Sequence, residues 1–110
     1  VKLSPSEIAE IQQRYSYLTN YDEDRAPDSP IDPLTYVDSN RDSLLHIAVQ
    51  NNDLRTVALL LRAEAPVNEP GDLGNTPLHY ASSKEMVDLL IGAGAATDVK
   101  NEFGKLSLDR

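Results

Sequence analysis

Thr76-Pro77-Leu78-His79-Tyr80-Ala81 is the stretch whose reading decides the fold, and Ser43-Leu44-Leu45-His46-Ile47-Ala48 is its weaker twin. His46 and His79 stand 33 positions apart. Self-similarity at such a period marks a solenoid, in which one unit cannot bury its apolar face alone and does so against its neighbours. Each box opens with a hydroxyl residue suited to cap a helix, and Pro77 suits the first helical turn. Leu45 is expected to point inward, and Ala48 is small enough to let neighbouring helices approach. The fold class expected is therefore all-α.

Beyond the first box come Val57, Leu59, Leu60, Leu61 and Ala65, then Asn68. With the Thr-Pro-Leu-His-x-Ala wording, that order resembles the ankyrin repeat, and the resemblance runs from about Asp38 to Arg110. It implies helix pairs joined by hairpin loops. It also implies structural work for His46 and His79, whose rings would bond across the tight turn and to neighbouring loops. Three departures stand in the first unit: Arg41 replaces a hairpin Gly, Leu44 replaces Pro, and Glu64 replaces a helix-ending Gly. A left-handed residue is costly for Arg, so the first hairpin is expected to be distorted.

Domain boundaries follow from the repeat. Residues 1–37 hold an amino-terminal helix and an acidic, Pro-rich connection; 38–70 form the first unit, 71–100 a shortened second, and 101–110 a truncated third. Asn51-Asn52-Asp53 breaks the first helix pair, since Asn tolerates the left-handed helix end. In the second unit Gly74 suits the hairpin turn, and Gly92 with Gly94 supplies the stop of the outer helix. From Ala81 to Leu90 there are 9 steps, against 12 from Ala48 to Leu60. About one helical turn is missing, around Ser82-Ser83-Lys84. Asn101 to Leu108 repeats the hairpin, with Gly104 matching Gly74. Solenoids need about three units, so either the sequence is a fragment of a longer protein or the amino-terminal helix supplies the missing layer, and both are expected here.

Upstream, Ser4-Pro5-Ser6-Glu7 reads as a capping box opening a helix. Ile8, Ile11, Tyr15 and Leu18 give that helix a narrow apolar seam, for capping the stack or for binding. Between Asn20 and Asp32, Asp22, Glu23, Asp24, Asp28 and Asp32 surround Arg25, while Pro27, Pro30 and Pro33 recur. Prolines remove backbone donors, so an irregular surface connection is expected, either a solvated loop or a lure for a basic partner.

Eighteen acidic against ten basic side chains give a net charge of −8 over 110 residues. That balance argues against nucleic acid and favours encounter with a basic protein surface. No cysteine is present, so a disulfide framework and thiolate metal sites are excluded. No apolar run reaches the ~20 residues of a membrane span. A cytoplasmic location is expected, although the chain opens on Val1 rather than Met, which leaves a removed leader open.

Catalysis finds no support in the residues. Two imidazoles without further ligands hold no metal, and paired carboxylates occur only in the Pro-rich connection. No glycine loop cradles phosphate and no cofactor is implied. What remains is a surface for another protein, with the chain a monomer or part of a hetero-complex. By resemblance, the concave face would carry the hairpin tips: Ser39, Asn40 and Asp42, then Asp72, Leu73 and Asn75, then Glu102 and Phe103. Tyr80 and Asn51 would extend it. Leu73 and Phe103 share one tip position, either as an apolar centre in an acidic rim or as packing between hairpins. Within this class the chain resembles bacterial immunity proteins that mask a toxin or enzyme, by size and charge. The alternative is a scaffold or recognition fragment of a larger protein, including a host-directed effector.

Overall fold

The computed structural model describes residues 2–21, 26 and 28–107. Asp22, Glu23, Asp24, Arg25 and Pro27 of the acidic connection, and Leu108 and Arg110 of the third unit, lie outside the described residues. Among the described residues four α-helices run in order: α1 (Pro5–Arg14), α2 (Leu44–Gln50), α3 (Leu54–Arg62) and α4 (Lys84–Gly92). Two 3₁₀ segments, Asp72–Gly74 and Pro77–Tyr80, stand between α3 and α4. Among the described residues there are no strands, only isolated bridges Val37–Ser43 and Lys100–Leu106 that close hairpins. The molecule measures 38 × 26 × 20 Å. It is longer in one direction, as stacking of successive units requires.

Each helix begins where its sequence supplies a cap. The Ser4 hydroxyl accepts from the Glu7 N–H (3.2 Å) while the Ser4 N–H donates to Glu7 Oε1 (2.9 Å), so the capping box opens α1. Helix α1 stops at Arg14, a turn short of Leu18, which lies on a turn closed by its N–H to the Tyr15 carbonyl (3.1 Å). Ser43, Asp53 and Ser83 cap α2, α3 and α4, each by accepting a backbone N–H three residues on. Asn52 (φ 53°) and Gly94 (φ 99°) take the left-handed conformation at helix ends. Glu64 does the same at φ 64°, so the missing glycine does not prevent the turn.

Arg41 corrects the expectation of a distorted first hairpin. It adopts φ 70°, and the turn closes normally through its N–H to the Asp38 carbonyl (3.1 Å) and the Asp38 N–H to the Asp42 carbonyl (2.9 Å). What offsets the cost is local: Asp38 Oδ1 accepts from the N–H of both Asn40 (2.8 Å) and Asp42 (3.0 Å). Leu44, where the resemblance leads one to expect Pro, is fully buried, exchanging a preset φ for apolar contact.

Helix α2 packs on α3 and on Pro77–Tyr80, and α4 packs on those same two elements. One core joins Leu44, Leu45 and Val49 of α2, Val57 and Leu60 of α3, then Leu78, Met86 and Leu90. Ile11 and Tyr15 of α1 belong to the same core. Each such side chain contributes roughly 1.5–3 kcal/mol by leaving water. The ion pairs joining α1 to α3, Arg14–Asp53, Arg55–Glu10 and Arg62–Glu7, involve exposed arginines. Such pairs contribute about 0–1 kcal/mol each, so apolar burial holds α1 in place. The three residues absent from the second unit come out of its inner helix, seven residues long in α2 and four in Pro77–Tyr80.

Candidate functional site: the hairpin face

The two histidines tie the units together. The Ser43 backbone N–H donates to His46 Nδ1 (3.1 Å), so that nitrogen carries no hydrogen and Nε2 does. From there Nε2 reaches the carbonyls of Glu69 (2.8 Å), at the end of its own unit, and of Asn75 (3.1 Å), in the next. His79 repeats the pattern, accepting from the Thr76 N–H (3.0 Å) and donating to the Lys105 carbonyl (3.0 Å). Both rings are committed to the fold. Among the described residues no cluster of three or more His, Asp or Glu is arranged to hold a metal ion. No described helix is long and apolar enough to cross a membrane.

Asp42 is not the surface contact expected of it. It is 5% exposed. Its Oδ1 accepts from the Asp72 N–H (2.9 Å) and the Tyr80 hydroxyl (3.2 Å), and its Oδ2 from Gln50 Nε2 (3.4 Å). The reason lies at position 71. Asp38 and Asn101 occupy the equivalent place in the other hairpins, and Asn101 Oδ1 accepts from the N–H of Phe103 (2.9 Å) and Lys105 (3.0 Å) just as Asp38 serves its own turn. Gly71 has no side chain to do this, and the space is taken by the carboxylate of the preceding unit, which accepts a different donor, the Asp72 N–H, while the Asn75 N–H goes to the Asp72 carbonyl (3.0 Å). That carboxylate comes so close that a Cβ on Gly71 would lie 2.2 Å from Asp42 Oδ1 and 2.9 Å from His46 Nε2.

The second tip is accordingly shaped differently. Leu73 takes the left-handed conformation (φ 56°) directly before Gly74 (φ 75°), and its side chain stays 42% exposed. Its carbonyl accepts from the Glu102 N–H (2.9 Å), which sets the third tip beside the second. Phe103, at that third tip, is 67% exposed. Asn75 joins the same contact by accepting from Asn101 Nδ2 (2.9 Å). Tyr80 stands half-buried beneath, its ring edge-on to His46 at 5.8 Å. Burial pushes its hydroxyl pKa up, and the neighbouring Asp42 charge adds to the effect.

The structure thus brings together Asp72, Leu73, Asn75, Tyr80, Glu102 and Phe103. Asn40 is exposed at the first tip, its N–H donated to Asp38 within its own turn. Asn51 stands apart: it caps the far end of α2, about 10 Å along the helix from the hairpins, where its Nδ2 donates to the Tyr17 hydroxyl (3.4 Å). Sequence reasoning missed Gly71 and the inward role of Asp42. The available signal was the missing Asp or Asn at a position where the other two hairpins have one.

Comparison with known proteins agrees with this architecture. The family model described as ankyrin repeats, three copies, matches residues 18–101. Protein phosphatase 1 regulatory subunit 27 of Homo sapiens is 38% identical over 68 residues, covering 59% of this chain and 44% of that protein. The Mus musculus protein of the same name matches with the same identity and coverage. The match spans less than half the length of these curated relatives.

Proposed function

Because the chain belongs to the ankyrin-repeat family, whose modules bind other proteins, we propose that it is a non-catalytic binding module acting through its hairpin face. Asp72, Leu73, Asn75, Tyr80, Glu102 and Phe103 form the contact surface, Asn40 extends it, and the partner is a protein with a basic surface. The observation that carries this reading is the exposure of Leu73 and Phe103 at adjoining tips. Neither the Asp72 nor the Glu102 carboxylate has an ion-pair partner among the described residues. Apolar anchors inside a polar rim are how binding energy concentrates in interfaces. Helix α1 serves as the cap of the stack on its side, since Ile11 and Tyr15 bury their side chains in the common core.

Within this reading two forms differ in outcome. An immunity-type inhibitor would mask a toxin or enzyme, supported by a charge of −8. A scaffold or regulatory module would hold an enzyme without blocking it, and the relatives named as regulatory subunits favour this second form.

The test is capture of the partner by the wild-type chain against a Leu73→Ala, Phe103→Ala double variant, followed by binding of the purified pair. Loss of about tenfold or more in affinity, with helicity unchanged by circular dichroism, is the expected outcome. Charge reversal at Asp72 and Glu102 should lower the association rate and its salt sensitivity. Equal capture by wild type and double variant would make the tips structural. Assaying a captured enzyme with saturating chain then separates masking from scaffolding.

A further inference from the structure

Ser39, Asp72 and Glu102 occupy one position in three successive hairpins, each two residues before a left-handed residue, Arg41, Gly74 or Gly104. The Asp72 N–H is donated back to Asp42 Oδ1 and the Glu102 N–H back to the Leu73 carbonyl, both at 2.9 Å. Each later hairpin therefore gives this donor to its predecessor. The Ser39 N–H has no hydrogen-bond partner among the described residues. Val37 faces Ser43 across a pair in which the flanking residues make the bond, Asp38 N–H to the Asp42 carbonyl. In such a pair a residue's own N–H and carbonyl turn away from the hairpin, and those of Val37 are likewise unpartnered among the described residues.

Beside this open edge lies an apolar groove of about 230 Å³. Leu34 and Val37, both more than two-fifths exposed, line it together with Leu45, Leu60 and Pro66. Small-molecule pockets generally start near 300 Å³, so the groove suits one or two side chains rather than a free metabolite. Glu69 is the single charged residue among those lining it, and its carboxylate makes no ion pair among the described residues.

We propose that this edge binds an extended segment of a partner protein, which takes the place a preceding hairpin would hold. The segment's carbonyls accept from Ser39 and Val37, an aliphatic side chain fills the groove, and a Lys or Arg beside it meets Glu69. Main-chain bonding with alternate side chains in pockets is the general mode of strand addition. A second copy of this chain is disfavoured because each copy carries a charge of −8. The edge lies at the other end of the hairpin row from Phe103, so occupancy of the two surfaces is separable.

Ser39→Pro is the decisive variant. Ser39 is the second residue of the turn closed by the Arg41 N–H to the Asp38 carbonyl (3.1 Å), where proline is favoured, and its own N–H serves no internal bond. The ¹⁵N-labelled chain is titrated with the blocked peptide acetyl-Thr-Leu-Thr-Lys-Thr-amide. The expected result is shifts of the Val37, Ser39 and Ala65 amides with a Kd of about 1 mM, as befits a short segment. Ser39→Pro keeps the melting temperature and weakens binding about fivefold or more, and replacing the peptide Lys by Glu weakens it similarly. Glu69→Lys, whose side chain makes no internal bond, is the second variant should Ser39→Pro fail to fold, and it too weakens binding about fivefold. Unshifted Val37 and Ser39 amides at about 10 mM peptide, undiminished binding by the variants, or shifts confined to Leu73 and Phe103 would overturn the proposal. So would sedimentation showing a dimer of the chain alone that Ser39→Pro abolishes, since the occupant would then be a second copy.

Discussion

At position 71 the absence of a side chain reorganises everything within reach of it. Asp38 and Asn101 collect N–H groups of their own turns, whereas at Gly71 the vacant space admits Asp42, which is buried there and accepts from the Asp72 N–H. Gly71→Ala is therefore expected to cost about 1–3 kcal/mol, because the new methyl meets a carboxylate oxygen and an imidazole that already hold other partners. Urea unfolding of the variant measures this, and an unchanged midpoint would show that Asp42 moves aside freely. Much at this scale was legible from the sequence: Gly74 and Pro77 stand where their local chemistry places them, and both histidines do what the ankyrin resemblance implied. Asp42 was not, since Asp72 and Tyr80 lie 30 and 38 positions away and no local pattern announces them. Arg41 was misjudged because the cost of its left-handed backbone was weighed without the two N–H groups that Asp38 collects.

Among the elements, the junction of α1 with α3 centres on Asp53. Burial alone would raise its carboxyl pKa, but hydrogen bonds from Thr56 and Tyr15 and the charge of Arg14 together hold it below the ordinary value of 3.8. A depressed folded value means the contribution to stability is complete above that ordinary value and is lost as pH falls through the folded one. Asp53→Asn should therefore flatten the acid limb of a stability–pH curve below about pH 5. Tyr15→Phe, which removes the 2.8 Å bond from the phenol to Asp53 Oδ2, should cost about 1 kcal/mol. Chemical unfolding from pH 3 to 7 checks both, and an unaltered acid limb would remove Asp53 from the junction. Period counting made the shortened inner helix of the second unit legible. It did not show that the remainder would wind as 3₁₀, which depends on how four residues from Pro77 to Tyr80 fit between α2 and α4.

For the whole molecule the decisive fact is a single core running from Ile11 through Leu60 to Leu90. Stacked units sharing one core lose their neighbours together, so unfolding should be one transition. Far-ultraviolet dichroism and tyrosine fluorescence, with five Tyr and no Trp in the chain, should give coincident urea curves. A separate early step in fluorescence would show α1 leaving on its own. The row of hairpins also gives the molecule a direction. Among the described residues, Ser39 holds a donor without an acceptor at one end, and Phe103, the counterpart of Leu73, holds a carbonyl that accepts no hydrogen bond at the other. Two copies meeting head to tail would repeat this contact without closing on themselves, which is the geometry of an open fibre rather than a dimer. Mutual repulsion opposes that growth at neutral pH. Near the isoelectric point of about 4.5 it vanishes, which removes the electrostatic barrier to contact between copies.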